Sequence, residues 1–393
     1  MNIFLIAFLA AQLAVSANDN KVMLVDGVNT PVPNPLPDTV TILDIGASPP
    51  KVVTELRAPT TIVGPPHSVA VTPDQSIALV TASTKIDPSN PKSTLPDDKV
   101  TVIDLKTFPP VVLTTLRAGA GAAGVSINRA GTLALVANRS EGTVSIFRIA
   151  GKNVTAAGKV DLGAPGSLPS QVMFTADGLT ALVSRNAVTD NRISLLAIDG
   201  VHVEYTKRDF FAGLQPYGMD ITPAGDLAVV ANIGAGAAGG VDVVSLIDLA
   251  ANPPRAIDQI AVGPTPEGIS VSPNGRYVAV TMMNGSNASK TGPFFHDFGI
   301  LKILELNECK LTPAAETRID HWCQGAAWAR DSRTVFAQCV VEKEIQMFSF
   351  DGKDLKPADA IKILTADPSE SGLLVISDPH RKPYRHEQSS LPR

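Results

Sequence analysis

Hydrophobic and polar positions repeat along this chain. Residues 219–232 read MDITPAGDLAVVAN: a short alternating stretch, a Pro-x-Gly turn, then an almost wholly apolar run ending in Asn232. Alternation predicts a strand with one buried face, and a short continuous apolar run predicts a strand buried on both. The same text recurs at 69–82 (VAVTPDQSIALVTA), 125–138 (VSINRAGTLALVAN), 172–185 (VMFTADGLTALVSR), 269–282 (ISVSPNGRYVAVTM) and 326–339 (AAWARDSRTVFAQC). The copies stand roughly 47 to 57 residues apart, the period of four-stranded propeller blades.

Each copy supplies strands a and b of a blade, and the text between copies supplies c and d. In the first copy the pattern predicts strand a at 68–72, nearest the axis, and strand b at 76–82. Strand c follows at 99–105 and strand d, at the rim, at 111–118. Gly131, Gly178, Gly225 and Gly275 fall in a–b turns, where glycine takes positive φ at little cost. Asp104 and Asp248 end c strands and are read as turn caps. No stretch carries a helical period, so the chain reads as all-β. Segments 21–26, 39–45 and 51–58 give three strands of one more blade, and 372–377 (GLLVIS) gives its missing strand. The prediction is a seven-bladed β-propeller whose ring closes by pairing the two ends of the chain, which removes exposed sheet edges.

Composition sets the class. With 393 residues, 44% hydrophobic and 18% charged, the chain can bury a large core and is not disordered. A net charge of −5 argues against nucleic-acid partners. Residues 3–15 (IFLIAFLAAQLAV) form an apolar run of signal-peptide length, too short to span a bilayer. Val15-Ser16-Ala17 places small residues where a signal peptidase reads, so cleavage after Ala17 is expected. The expectation is then a periplasmic or secreted monomer without a membrane partner, a single propeller domain over 18–378 and a disordered basic tail over 379–393. Counting outward from the turn at Asp331-Ser332, Cys323 and Cys339 fall opposite each other on adjacent strands, and a disulfide is expected there. Cys309 is left unpaired.

The blade text resembles that of the YVTN-type β-propellers. The residues that carry the resemblance are TPAGDLAVVAN, RSEGTVSIF, DKVTVIDLKT, VVLTTLRAG and VGPTPEGISVSPNG, and the resemblance as a whole extends over nearly all of the mature chain. Similar propellers include surface-layer proteins, lactonase-like propellers akin to 6-phosphogluconolactonase, and heavy subunits of periplasmic amine dehydrogenases. The resemblance implies the fold and leaves the ligand open.

Candidate chemistry gathers at one face. The d–a and b–c connections share it, and two of them are long, at 83–98 and 283–298; long loops on one face form a binding rim. The residues that enter strand a are His67, Ala123, Ser170, Tyr217, Glu267, Gln324 and Ser371, and they are expected to ring the mouth of the central channel. His67 could serve as general base and Glu267 as its acidic partner. Arg185 stands where other copies have Asn138 and Asn232, and beside the channel it would suit a carboxylate or phosphate. Tyr217, Gln324, Ser170, Asn232, Phe294 and Phe295 are read as ligand contacts. GAGAAG occurs at 119–124 and 234–239, but strands follow both copies where a dinucleotide site requires a helix, so both are loops. There is no metal-ligand spacing, Walker loop, Gly-x-Ser-x-Gly or haem-attachment motif, so no cofactor and no metal are expected. The function expected is a ligand- or protein-binding or scaffold module acting at the loop-rich face. Alternatives are a lactone hydrolase using His67, Glu267 and Arg185, and a non-catalytic heavy subunit of a periplasmic dehydrogenase.

Overall fold

The structure is a computed structural model that describes residues 12–62, 64, 66–234, 239–362 and 371–375. Residues 1–11, the expected tail at 379–393 and the middle of the second GAGAAG lie outside the described residues.

Seven four-stranded antiparallel sheets and one two-stranded hairpin make up the fold, with no helix among the described residues. Six sheets use four consecutive strands, as in the second blade: Ala122–Ile127, Leu133–Asn138, Thr143–Ala150 and Asn153–Asp161. The seventh is split. Ser371–Val375 pairs with Leu13–Asp19, in register from Val15 opposite Val375 to Asp19 opposite Ser371, and Thr39–Asp44 and Lys51–Arg57 complete it. Strand b is the apolar one, as its sequence dictates: Ile77, Ala78, Leu79 and Val80 have no exposed surface. Buried clusters occupy each junction between neighbouring blades around the whole ring. Each buried Leu, Ile or Val contributes about 1.5–3 kcal/mol, so the interblade layers hold the ring together. The a–b turns behave as read: Gly131, Gly178, Gly225 and Gly275 have positive φ, with Gln75 and Ser332 in the same conformation in the first and sixth blades.

Two expectations change. Strand b of the split blade is Leu13–Asp19, and the expected cleavage point after Ala17 falls inside it. Ala14, Val15 and Ala17 are fully buried there, and Asn18 donates to Thr39 and Thr41 as a b-strand asparagine should. Residues 21–26 instead open a separate hairpin, Val22–Val25 with Val28–Pro31, on the loop-rich face. Its base is clipped by Lys21, whose Nζ lies 3.1 Å from Asp19 Oδ2 and 2.8 Å from Asp38 Oδ2. The stretch 83–98 is also not an irregular loop. Strands Ile77–Asp87 and Asn90–Asp104 prolong the first blade into a projecting hairpin. Its prolines fit this arrangement: Pro88 lies in the turn between the strands, Pro91 falls in the register shift between the Ile86–Thr94 and Asp87–Asn90 pairs, and Pro96 pairs with Thr84 beside a second shift.

Candidate functional site

A β-bulge in each of blades two to six places the ring of channel-mouth residues. Pro169 pairs with Arg185 and Gln171 with Ser184, so Ser170 is the extra residue. Glu267 and Gln324 are the extra residues of their blades in the same way, and Ala123-Gly124 and Tyr217-Gly218 occupy the bulges of blades two and four. A bulge leaves its extra residue out of the ladder and re-aims the side chain. Two residues before each ring residue, Gly121, Leu168, Gln215, Thr265 and Trp322 all have positive φ. Four of these five are not glycine, and such conformations cost about 1–3 kcal/mol each, so each of these corners carries backbone strain. The ring sequence "Pro-x-Gly" has a steric cause. A β-carbon on Gly218 would lie 2.3 Å from the Glu267 carbonyl oxygen, and one on Gly268 2.0 Å from that of Gln324. The next blade occupies the space.

Three ring residues converge with one residue that sequence reading missed. Arg139 follows Asn138 at the end of strand b, and its Nη1 donates to Asn186 Oδ1 (2.8 Å) and to Ser170 Oγ. Its guanidinium lies 5.7 Å from the centre of the Tyr217 ring. Among the described residues no carboxylate stands within 4 Å of it. Gln324 Nε2 donates to Glu267 Oε2 at 2.7 Å. Burial pushes the Glu267 carboxyl up to about 8, against the opposing effects of Gln324 and Arg139, so it is protonated at neutral pH. Burial and then the Glu267 charge push the Tyr217 phenol up as well. His67 comes from the first blade, but its Nε2 lies 3.5 Å from where a Gly218 β-carbon would stand, in the fourth. That nitrogen is buried with no hydrogen-bond partner among the described residues, and so is Gln324 Oε1. Burial lowers the His67 pKa to about 4, partly offset by Asp220, so the imidazole is neutral. At the opposite face Arg129 Nη2 of the second blade donates to the Pro223 carbonyl of the fourth (2.6 Å), which narrows that end.

Other expected site residues sit elsewhere. Arg185 does not face the channel. Its Nη1 donates to Ser194 Oγ (3.2 Å) and Tyr205 Oη (3.3 Å), and its Nη2 pairs with Asp190. The physical reason is positional: Asn138 and Asn232 likewise point into their own blades, toward Ser145 and Ser245. Asn232 thus braces its own blade. Phe294 and Phe295 lie on the loop-rich face, Phe294 half-exposed with its ring over Gly239. Cys323 and Cys339 are register partners joined by a disulfide, and Cys309 is free and exposed. Ser371 begins its strand at the mouth, and its side chain is outside the described set.

No family model matches the chain, and no curated protein matches it in sequence. Solved structures do resemble it. A candidate 6-phosphogluconolactonase from Bacteroides fragilis gives a TM-score of 0.67 at 15% identity, over 92% of this chain and 98% of that one. The periplasmic gluconolactonase of Pseudomonas aeruginosa gives 0.60 at 14% identity, over 92% and 99%. Kuenenia stuttgartiensis hydrazine synthase gives 0.58 at 18% identity, over 75% and 79%. Likeness at these identities shows the fold. The chain is a seven-bladed β-propeller with a buried polar cluster at one channel mouth.

Proposed function

We propose that the channel mouth binds a small anionic organic molecule. One observation carries this reading: Arg139, a permanent cation, gives its side-chain hydrogen bonds only to the neutral oxygens of Ser170 and Asn186 among the described residues, with the Tyr217 ring beside it. The groups around it, a protonated Glu267 and a neutral His67, add no negative charge at neutral pH. A carboxylate or phosphate meeting the guanidinium forms charge-assisted hydrogen bonds. Gln324 Oε1 and His67 Nε2 then offer hydrogen-bonding capacity to the polar remainder of the ligand.

Lactone hydrolysis is the reaction this site fits. The favouring observation is that His67 Nε2 and the Glu267 backbone both border the Gly218 position, although their blades stand apart on the ring. In this reading water attacks the lactone carbonyl and gives its proton to His67. The ring C–O bond breaks, and the leaving alkoxide takes a proton from Glu267. The lactonase-like structural neighbours support the same reading. For the compartment we keep export as the proposal. A disulfide suits an oxidising space, and one structural neighbour is periplasmic.

Titration calorimetry with a panel of hydroxy-acids and lactones, each with and without a second acidic group, tests the proposal. Arg139→Ala should weaken the acidic ligands by tenfold or more, about 1.4 kcal/mol, and leave neutral ones less affected. A panel in which no acidic ligand binds wild type would sink the anion-site reading. Binding without turnover would leave the anion site standing and remove the hydrolase reading.

A further inference from the structure

The loop 283–298 of the fifth blade crosses the loop-rich face rather than hanging from its own blade. Near one end Met283 packs with Val22, Ile62, Trp322 and Val340, which come from the split blade and the sixth. Midway, Lys290 N donates to Asp26 Oδ1 (3.0 Å) at the tip of the 22–31 hairpin. The Trp322 amide donates to Ser286 Oγ at 2.9 Å. At the far end Asp297 meets His321, in the corner that leads to Cys323 and Gln324.

His321 contacts carboxylates through both ring nitrogens. Nε2 lies 2.8 Å from Asp297 Oδ1 and Nδ1 lies 2.6 Å from Glu342 Oε1. The His321 amide also donates to Glu342 Oε2 at 3.1 Å. A neutral imidazole has one donor nitrogen and one acceptor, so only the imidazolium satisfies both contacts. In the neutral form one carboxylate would face a lone pair. Asp297 is four-fifths exposed, so it is the contact free to leave, whereas Glu342 is doubly held. The nearby carboxylates Asp320 and Glu344 both accept from Gln346 Nε2 and are engaged away from the imidazole. Arg318 lies over the Phe298 ring, 4.1 Å from its centre, and His296 Nδ1 is bound to the Asn284 carbonyl.

We propose that His321 is a charged clasp that fastens the 283–298 loop to the sixth blade, and that loss of its proton releases the Asp297 end of the loop. Partial burial opposes the charge, but the bonds to Asp297 and Glu342 outweigh it and hold the pKa above the ordinary histidine value. The clasp is therefore closed at neutrality, and it opens as pH rises through that raised pKa. This inference does not depend on what the channel binds.

Hydrogen exchange on the full chain, from about pH 6 to about pH 9, reads the clasp directly. Rates are corrected for intrinsic chemistry and compared with strand peptides of the second blade. In wild type the 283–298 peptides should lose protection by roughly tenfold across the titration while the strand peptides hold. His321→Gln should show the fast rate at every pH. Asp297→Asn, at an exposed position that does not threaten folding, should move the step to lower pH. A wild-type loop whose protection does not change, a step that survives in His321→Gln, or an unmoved step in Asp297→Asn would each overturn the proposal.

Discussion

His67 Nε2 reaches across the channel to within 3.5 Å of the space above Gly218, so the first and fourth blades meet at the axis. The clash at residue 218 comes from the other side. In Gly218→Ala the new methyl would stand 2.3 Å from the Glu267 carbonyl, while it would meet the imidazole at ordinary contact distance. Overpacking of this kind costs about 1–3 kcal/mol. Denaturant unfolding should show that loss, and a crystal structure of the variant should show the Glu267 backbone displaced; an unchanged midpoint would mean that the blades yield without cost.

Two of the buried ionisable groups of the mouth, Glu267 and His67, set opposite limbs of a stability profile. The folded chain holds the Glu267 proton more tightly than the unfolded chain, with the pKa raised from 4.5 to about 8. Its contribution is full below about 4.5 and is lost as pH rises through about 8. His67 works the other way, its pKa falling from 6.5 to about 4, so its contribution is present above 6.5 and lost as pH falls through 4. Glu267→Gln should flatten the alkaline limb and His67→Gln the acid limb, each by an amount on the order of a few kcal/mol. Chemical denaturation at a series of pH values measures both, and parallel profiles for wild type and Glu267→Gln would contradict the alkaline assignment.

Residues 13–17 are five of the seven residues of the inner strand Leu13–Asp19. A chain beginning at residue 12 keeps the whole of the strand Leu13–Asp19. One beginning at residue 18 loses buried Ala14, Val15 and Ala17 and the bond from Gln338 to Ser16. Several kcal/mol of burial are at stake, which corresponds to a fall in melting temperature of about 10 °C or more. Scanning calorimetry of the two truncations decides the matter. Equal melting temperatures would show that the split blade closes without this strand.

The Cys323–Cys339 link closes a segment with a sequence separation of 16 at the top of the sixth blade. Loop-closure entropy for such a segment is worth about 3 kcal/mol. Paired Cys→Ala replacement should lower stability by roughly that amount, and a reductant should do the same to wild type only. A reductant that shifts the double variant equally would point to another cause.

Much of this was legible from period and turn chemistry. The repeated alternating and apolar runs gave the blades, and counting from Asp331-Ser332 paired the cysteines. LAVSAN at 13–18 is a third copy of LALVAN at 133–138 and LAVVAN at 227–232. It was hidden because it continues an apolar run, and a buried strand and a leader share that composition. Arg185 was misplaced because alignment locates a position along a strand without saying which way the side chain points. Its equivalents Asn138 and Asn232 also turn toward strand c. Arg139 carried no periodic signal. It lies one residue beyond the repeat, and only the bulged, positive-φ corner opposite it, where its amide bonds to the Gly121 carbonyl, brings it to the mouth.

The bulges have a consequence for how such a molecule can change. A residue squeezed out of the ladder owes nothing to its neighbours for backbone pairing. Alanine, serine, tyrosine, glutamate and glutamine already occupy that one backbone setting in five successive blades. The mouth is thus a set of interchangeable sockets on a fixed wheel, and its side chains can be exchanged one socket at a time without asking the wheel to re-pair its strands.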